Sequence, residues 1–398
     1  MPENKLSPKQ IVIMAVAGGV AVANIYYNQP ILKDIQESAH VTESQSGAIS
    51  FLSQAGYGLG LFFITPLGDK INRKKLTLSL LLLLCIPLLV MAFMENIYAL
   101  WIASLFIGLF SVAAQVILPL AASLDRVSTG NTVGKIFSGI LIGILAARVL
   151  SGFIANSIGW HAVYMIASGL VLIIFFLLYK YLPDVESKFT PNYLQLLKST
   201  LLQVKRFSVL RISSAIGALM FGVFCSFWTT LTFHLSGTPY NYAPDQIGMF
   251  GFVAIGGALA APLFGRSADK GKARRSLLIA MLFVLISVAA MHFFSTSLVV
   301  LIAGIFLLDV GVQAVQVTNV ARIYSLDEKS NSRINTIYMT CYFIGGAAGT
   351  AIGLYCWQKG GWSLATWQMM GFNTLALLIL LFNFKKVNRN KEVHSTEE

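Results

Sequence analysis

The 398-residue sequence has little charge. Asp, Glu, Lys and Arg together make up 12% of it, about half of the roughly 25% found in an ordinary soluble domain. Hydrophobic residues make up 56%, and the mean hydropathy is +0.72. This composition excludes an ordinary soluble protein and indicates that most of the surface faces lipid.

Cysteine pairs and catalytic motifs are also missing. Cys85, Cys225, Cys341 and Cys356 each lie in or beside an apolar segment, with no second Cys or His at metal-ligand spacing. The sequence has no H-E-x-x-H, phosphate-binding loop or nucleophile elbow, so neither an ATP-driven pump nor a hydrolase is supported. We therefore predict that the protein is not an enzyme and needs neither a metal nor a cofactor.

Twelve apolar stretches are long enough to cross a bilayer, since about 20 helical residues span roughly 30 Å of hydrocarbon. The predicted spans are 11–32, 46–67, 76–94, 97–124, 134–158, 160–182, 212–235, 247–265, 276–294, 298–324, 334–357 and 362–384. The first run contains Ala21-Val22-Ala23, which resembles a signal-peptide cleavage site. Cleavage there would destroy the first span, so we expect this segment to remain as a membrane helix.

Lys and Arg residues indicate the orientation. With the N-terminus inside, all but three of the 29 lie on the inner side; the exceptions are Lys33 and Lys359 outside and Arg148 within a span. Inner loops are enriched in these residues, so both termini are predicted to be cytoplasmic. The net charge of +12 has the same explanation, and we expect no nucleic-acid partner.

The longest loop divides the spans into six and six. We predict an N-terminal six-helix bundle at 1–182, a cytoplasmic linker at 183–211, a C-terminal six-helix bundle at 212–384 and a cytoplasmic tail at 385–398. In the linker, Leu194, Leu197, Leu201 and Val204 recur at helical spacing among basic residues. This pattern indicates an amphipathic helix on the membrane surface, with a helix for a regulatory partner as the alternative.

The two halves repeat each other at a near-constant offset. The segment LGDKINRKKL after the second span matches SADKGKARRSL after the eighth. Further landmarks pair AAQV at 113–116 with AVQV at 314–317, Asn131 with Asn331, and Gly159-Trp160 with Gly361-Trp362. Parallel repeats of this kind are typical of carriers that open alternately to the two sides of a membrane around a midplane site.

The repeated loops read TPLGDKINRKK and GRSADKGKARR, two versions of the motif G-x-L-x-D-R/K-x-G-R-R/K. On these residues the sequence resembles the major facilitator superfamily over essentially its whole length. The resemblance implies an all-α membrane protein of twelve transmembrane helices in two pseudo-symmetric six-helix bundles, with helices one and four of each half lining a cavity. The implied gating residues are Asp69, Lys70, Arg73, Asp125, Asp269, Lys270 and Arg274.

The family also implies roles within this gate. Its motif carboxylate lies at the N-terminus of the eleventh helix, where the helix dipole stabilises an anion by about 0.3–1 kcal/mol. Asp69 is thereby implied to face the helix starting near Arg333, and Arg73 to pair with Asp125. Such contacts form only while the inner gate is closed, so they favour one state of the cycle. The alternative is that these charges only fix the topology.

NIYYNQP in the first span and GILIGILAARVLSGFIANSIGW in the fifth are similar to the bacterial drug:proton antiporter branch and its sugar-efflux-like relatives. Arg148 stands where the G-P-x-x-G-G motif of that branch has proline. The resemblance implies proton-coupled transport.

Two charged residues lie deep within predicted spans, where a charge costs about 2.5 kcal/mol or more and usually faces a water-filled cavity. Asp309 is the twelfth residue of its span, about 17 Å in at 1.5 Å per residue. We interpret it as the proton-coupling group, with a permanently paired carboxylate as the alternative. Arg148 is interpreted as a substrate-cavity residue; binding an anionic group, balancing Asp309 and snorkelling outward all remain open.

Amide and phenol side chains supply the remaining polarity of the expected cavity. They are Asn24, Tyr27, Asn28, Gln54, Gln115, Gln313, Gln316 and Asn319, on helices one, two, four and ten. Their concentration on these helices favours substrate contact, although hydrogen bonding between helices explains any single one. Tyr26, Phe227 and Trp228 are interpreted as core or as an apolar cavity wall.

We therefore predict a secondary active transporter of the bacterial inner membrane that exports small amphiphilic molecules or drugs by alternating access, driven by a proton gradient. A sugar or metabolite transporter of the same fold, either an exporter or a proton symporter, is the alternative. A receptor built on the same fold is a further possibility that an added domain would favour. The expected partners are a small-molecule substrate and the lipid bilayer, with the chain acting as a monomer.

Overall fold

The computed structural model describes residues 6–125, 129–183, 192–254, 272–327 and 330–394. In these ranges the chain is almost entirely helical and contains no β-strand, which confirms the predicted all-α class. Two compact units are formed. Unit 1 comprises Met1–Ser199 and Leu231–Phe252, and unit 2 comprises Thr200–Thr230 and Val253–Glu398.

The helices follow one another along the described parts of the chain. Those in the first half are α1 (Pro8–Ala23), a 3-10 helix (Gln29–Ile31), α2 (Leu32–Ser38), α3 (Glu43–Phe63), α4 (Leu67–Lys70), α5 (Arg73–Phe93), α6 (Ile97–Ser111), α7 (Ala113–Leu124), α8 (Thr129–Ile158) and α9 (Trp160–Tyr181). Those that follow are α10 (Tyr193–Arg206), α11 (Ser208–Ser236), α12 (helical over 244–254), α13 (Ala273–Phe293), α14 (Leu298–Tyr324) and α15 (Asn331–His394).

Nine helical segments within the described ranges are long and apolar enough to cross a membrane. One of them, Ile97–Leu124, joins α6 and α7, and another, Asn331–Asn383, covers two predicted spans. This last segment is interrupted by non-helical backbone at Gly360 and Gly361. The predicted eighth span at 247–265 extends outside the described residues, and the total of twelve stays a prediction. A multi-pass helical membrane protein is confirmed.

The sequence repeat is visible in the backbone at its glycine-tryptophan landmarks. Gly159 has a φ of 91° and precedes α9, while Gly361 has a φ of 59° at the interruption of α15. A left-handed backbone is open to glycine at little steric cost, and each glycine is followed by a tryptophan that begins the next helical stretch. The same residue pair therefore makes the same kind of turn in both halves.

Side-chain caps explain where several helices begin. Ser7 and Gln10 form a reciprocal capping box at the start of α1, and Thr42 and Gln45 form another at the start of α3. Each box satisfies backbone N–H groups that have no partner within the first helical turn. Asn96 caps α6 in a similar way by accepting from two backbone N–H groups.

The first span is broken, so the single helix expected over 11–32 is wrong. The α1 helix ends at Ala23, because the Asn24 side chain donates to Val20 O at 2.7 Å and to Ala21 O at 3.2 Å. These bonds compete with the backbone for helical carbonyls. The chain then turns through residues 24–28 into the 3-10 helix, where Pro30 supplies no N–H.

Glycines allow close helix crossings in each unit. In unit 1, a Cβ on Gly19 would lie 2.6 Å from Gly139 O, and a Cβ on Gly143 would overlap Gly19, so α1 and α8 meet backbone to backbone. In unit 2, a Cβ on Gly349 would overlap Gly222, which brings α11 and α15 together in the same way. Close backbone contact at small residues is a usual mode of association between membrane helices.

The α10 helix lies in the predicted linker. Tyr193 near its start donates to Phe63 O at 2.6 Å, and Arg206 at its end pairs with Asp327 at 2.8 Å. Leu196 and Thr200 are buried, whereas Leu194 and Leu201 are exposed. Two members of the predicted apolar stripe thus point away from the protein, as a helix resting on a membrane surface requires.

Candidate functional site

The break after α1 begins a line of buried polar side chains in unit 1. Ser50 on α3 donates to Asn28 Oδ1, and Asn28 Nδ2 donates to Ile25 O at 3.3 Å. Further along, Gln115 on α7 donates to the Tyr57 hydroxyl on α3 at 3.2 Å. Discontinuous membrane helices with polar groups at the break are a common way to build a transporter site. The structure thus connects α1, α3 and α7 through polar contacts.

Two amides on this line retain unused acceptors. Asn24 Oδ1 and Gln54 Oε1 are buried and accept no hydrogen bond from any described residue. A buried polar atom left without a partner costs about 1–3 kcal/mol. Water or a donor group on a substrate would remove that cost, so these two oxygens are suitable binding groups.

Arg148 on α8 reaches the broken segment of α1. Its side chain is only 2% exposed, its Nε donates to Gln29 Oε1 at 2.6 Å, and its guanidinium lies 5.2 Å from the centre of the Tyr26 ring. The Gln29 carbonyl oxygen in turn accepts from Thr232 Oγ1 at 2.7 Å. Arg148 is therefore held among polar and aromatic partners and does not snorkel to an interface in this structure.

Next to Arg148, α8 and α12 approach closely. A Cβ on Gly248 would lie 2.6 Å from Arg148 O, and a Cβ on Gly152 would overlap Pro244 O. Only glycine allows this distance between the backbones. Arg148 thus lies where residues that follow α11 pack closely against α8.

Unit 2 contains an acid buried within a membrane span. Asp309 on α14 is 2% exposed, and no basic residue lies in the same helix between Leu298 and Val320. Nearer the end of α14, Gln316 accepts from the Tyr342 hydroxyl on α15 at 3.3 Å, and Arg322 reaches Asn319 Oδ1 at 3.5 Å. The burial of Asp309 agrees with its predicted depth in the span.

Aromatic rings pack beside these polar groups. Phe221 on α11 stacks on Tyr342, with ring centres 4.0 Å apart, and meets Phe224 and Phe343. Phe227 and Trp228, interpreted from the sequence as core or cavity wall, are both buried and lie edge to face. Unit 2 therefore combines a carboxylate with a large apolar aromatic surface.

The inner-loop motif makes a different ion pair from the implied one. Arg73 pairs with Asp69 at 2.9 Å, and also donates to Gly68 O and Pro119 O at 3.0 Å each. It does not pair with Asp125, which accepts from Thr132 at 2.7 Å. The implied Arg73–Asp125 pair is wrong for this structure, because the turn between α4 and α5 brings Asp69 to Arg73.

Two of the remaining gate residues lie within the described ranges. Lys70 and Arg274 are exposed, while Asp269 and Lys270 lie outside the described residues. The implied contact of Asp69 with the helix near Arg333 stays a prediction, since these residues belong to different units.

The predicted site residues are divided between the units. Asn24, Tyr27, Asn28, Gln54, Gln115 and Arg148 are in unit 1, and Asp309, Gln313, Gln316 and Asn319 are in unit 2. Sequence reasoning missed Gln29, Tyr57, Thr232 and Tyr342 as their partners. Gln29 could have been found, because it belongs to NIYYNQP and immediately precedes a proline in an apolar span.

A multi-pass helical membrane protein with an internal repeat and buried polar and charged side chains in its spans is, by class, a membrane transporter. The Major Facilitator Superfamily model matches residues 14–321 and 212–398 of the chain. The chain therefore belongs to the Major Facilitator Superfamily, and it is a secondary transporter rather than an enzyme.

Relatives and solved structures agree with this assignment. The chain is 39% identical over 391 residues to the putative uncharacterized transporter YgaY of Escherichia coli K12, with 98% of both chains covered. It is similar in fold to the human organic anion transporter MFSD10 (TM-score 0.69, 16% identity, covering 94% of this chain and 100% of that one). It is also similar to the POT family transporter PepTSo (TM-score 0.74, 14% identity, covering 98% and 99%).

Proposed function

We propose that this protein exports small amphiphilic molecules in exchange for protons, by alternating access across a bacterial inner membrane. The observation that carries the proposal is Asp309, a carboxylate that is 98% buried near the middle of an apolar membrane helix. A charge in such a position is rare unless it takes part in ion movement. The proton gradient supplies the energy, and the proposal requires neither a cofactor nor a metal.

Asp309 has the properties needed for proton coupling. Asp309 lies about 17 Å along α14 from its first residue, which is roughly half of a 30 Å hydrocarbon core. Protonation neutralises the carboxylate, so the proton-bound form crosses between states at lower cost than the charged form. When the transporter opens to the opposite side of the membrane, substrate binding favours release of the proton. The protein is therefore occupied by a proton and by a substrate in turn.

The substrate-recognition groups are proposed to lie mainly in unit 1. Arg148 supplies a cation, and Asn24 Oδ1 and Gln54 Oε1 supply acceptors without protein partners among the described residues. Together these favour a molecule with an anionic or acceptor group and at least one N–H or O–H donor. The Tyr26 ring, 5.2 Å from the Arg148 guanidinium in the same unit, favours an apolar portion. An amphiphile carries both kinds of surface.

The name of one structural neighbour is consistent with this substrate class. MFSD10 is described as an organic anion transporter, and a buried arginine is the kind of residue that binds an organic anion. At 16% identity the likeness concerns the fold, so the substrate argument depends on Arg148 itself.

A sugar or metabolite transporter is the second candidate. It is favoured by the amides, since neutral sugars are bound through many hydrogen bonds and Asn24, Asn28, Gln54 and Gln115 offer them. The charge of Arg148 counts against it. A panel that includes a neutral sugar, an anionic amphiphile and a cationic amphiphile separates the candidates.

Gating is proposed to involve the Asp69–Arg73 pair and its bond to Pro119 O, which ties the α4–α5 turn to α7. Lys70, Asp125, Asp269, Lys270 and Arg274 are proposed as further members of the inner gate. The protein is proposed to act as a monomer.

Transport by purified protein in proteoliposomes tests the proposal. With a pH gradient imposed, we expect an amphiphile to move against the proton flux, and Asp309→Asn to abolish this movement. The same variant should still exchange labelled for unlabelled substrate, because exchange needs no net proton transfer. Glu95→Gln, which alters an exposed acid, serves as the matched control. Wild-type gradient-driven transport by Asp309→Asn would contradict the proposal.

A further inference from the structure

A groove runs along the lipid-facing seam between α1 and α8. It encloses about 420 Å³, and almost all of its lining is apolar. Its floor is formed by small residues such as Ala15 and Gly139, and its walls by Val12, Val16 and Ile142, which are exposed at the surface of unit 1. The groove exists because the small residues that bring the helices together leave no side chains to fill the furrow between them.

The groove has a length that suits one leaflet. Along α1 it extends from Ile11 to Val20, which is about 14 Å at 1.5 Å per residue. Half of a 30 Å hydrocarbon core is about 15 Å. One acyl chain lying parallel to the helices would therefore fill it from the membrane surface to the midplane.

Its polar groups are confined to one end. Lys135 and Ser138 lie on α8 beside Ile11, and Lys135 is exposed with no ion pair or hydrogen bond to any residue that the structure describes. The distribution of Lys and Arg makes this the cytoplasmic end. A cation there attracts the anionic headgroups of the inner leaflet. The apolar wall and the lysine thus match the two parts of a single phospholipid molecule.

We propose that the α1–α8 groove binds one phospholipid of the inner leaflet with an anionic headgroup, its acyl chain between Val16 and Ile142 and its phosphate at Lys135. This site is independent of the substrate pathway, because it opens to lipid and uses neither Arg148 nor Asp309. The occupant is a lipid rather than a soluble phosphate, since most of the groove offers only apolar contact.

Native mass spectrometry of the intact chain in detergent tests the proposal, with phosphatidylglycerol as the anionic probe and phosphatidylcholine as the zwitterionic one. We expect the first phosphatidylglycerol to bind more tightly than phosphatidylcholine. Lys135→Gln should weaken it about fivefold, the effect of one lysine near anionic lipid, and leave phosphatidylcholine unchanged. Val16→Trp, which fills the groove at an exposed position, should weaken both lipids.

Lys75→Gln is the control, because Lys75 is an exposed lysine at the start of α5, away from the groove. All variants should elute as single species of the wild-type size. Equal binding of the two lipids by the wild type, or equal behaviour of Lys135→Gln and Lys75→Gln, would overturn the proposal. So would a dimer that dissociates on Val16→Trp, since a second copy would then occupy the groove.

Discussion

The two units use the same helix crossings but hold different chemistry. Unit 1 brings α1 against α8 at Gly19 and Gly143, and unit 2 brings α11 against α15 at Gly222 and Gly349. Into this repeated frame, unit 1 places Arg148 and amide acceptors that have no partner among the described residues, whereas unit 2 places Asp309 and stacked aromatic rings. The repeat thus preserves backbone packing and leaves the functional side chains free to diverge.

The units also differ in how the first helix of each half is built. The α1 helix ends after 16 residues and is followed by a turn, while α11 continues for 29 residues without a break. The difference comes from Asn24 and Pro30, which have no equivalents that interrupt α11. In unit 1 the broken helix thereby meets Arg148 through Gln29, which supports placing substrate recognition there.

The largest effect is expected from filling the two glycine crossings. Gly143→Ala and Gly349→Ala each put a methyl group into the backbone of a neighbouring helix, and overpacking costs about 1–3 kcal/mol or more. We expect both variants to lose most monodisperse protein in size-exclusion chromatography. Gly134→Ala and Gly371→Ala, on the same helices but with no atom within 4 Å of the new methyl, should behave as wild type. Loss of monodisperse protein in only one of the two variants would contradict the view that the two glycine crossings are structurally equivalent.

The next effect concerns Arg148 of unit 1. Arg148→Lys keeps the charge but loses the guanidinium geometry that reaches Gln29 and Tyr26. Hydrogen bonds to charged groups contribute about 1.5–3 kcal/mol, so we expect the KM for an anionic substrate to rise about tenfold or more. Initial rates in proteoliposomes measure this, with the exposed Arg275→Lys as control. An unchanged KM would contradict the proposal that unit 1 recognises the substrate.

A smaller effect separates the two phenol–amide pairs. Tyr57→Phe removes the acceptor of Gln115 in unit 1, and Tyr342→Phe removes the donor to Gln316 in unit 2. Each bond is worth about 0.5–1.5 kcal/mol. If recognition lies in unit 1, Tyr57→Phe should raise the KM severalfold, while Tyr342→Phe, which keeps its ring stacked on Phe221, should change it less. The opposite order would assign recognition to unit 2.

The smallest effect tests whether unit 1 has a coupling acid of its own. Burial, and then the nearby Glu37, raise the pKa of Asp34 on α2 from 3.8 to about 6. The folded state therefore binds more protons than the unfolded state between these values, and stability falls as pH rises from about 4 to 6. Asp34→Asn should raise the melting temperature by roughly a degree or two above pH 6, and by less at pH 4.

The transport pH profile of Asp34→Asn should match that of the wild type, because Asp34 lies outside the spans. A shifted profile would show that Asp34 takes part in coupling and that the two units share this task.

Much of the fold could be predicted, because the length of each apolar stretch and the positions of the charged residues can be read directly from the sequence. The α10 helix was predicted from its helical spacing, and the Gly-Trp pairs at 159 and 361 were recognised as equivalent landmarks of the repeat. The break after α1 was missed, because the hydropathy of a segment does not show that an asparagine side chain donates hydrogen bonds to carbonyls of its own helix. The Arg73–Asp69 pair was missed in favour of an implied family partner, because it depends on the turn between α4 and α5. The contact of Arg148 with Gln29 joins residues 119 positions apart and depends on tertiary packing.

The central claim is that the protein binds protons and substrate in turn, and that the proton is bound by Asp309 in unit 2. The most direct test adds a substrate found in the transport panel to purified protein in weakly buffered solution and follows pH with an indicator dye. The account predicts proton release on substrate binding by the wild type and by Glu95→Gln, and none by Asp309→Asn. Equal proton release by Asp309→Asn, or proton uptake by the wild type, would contradict it.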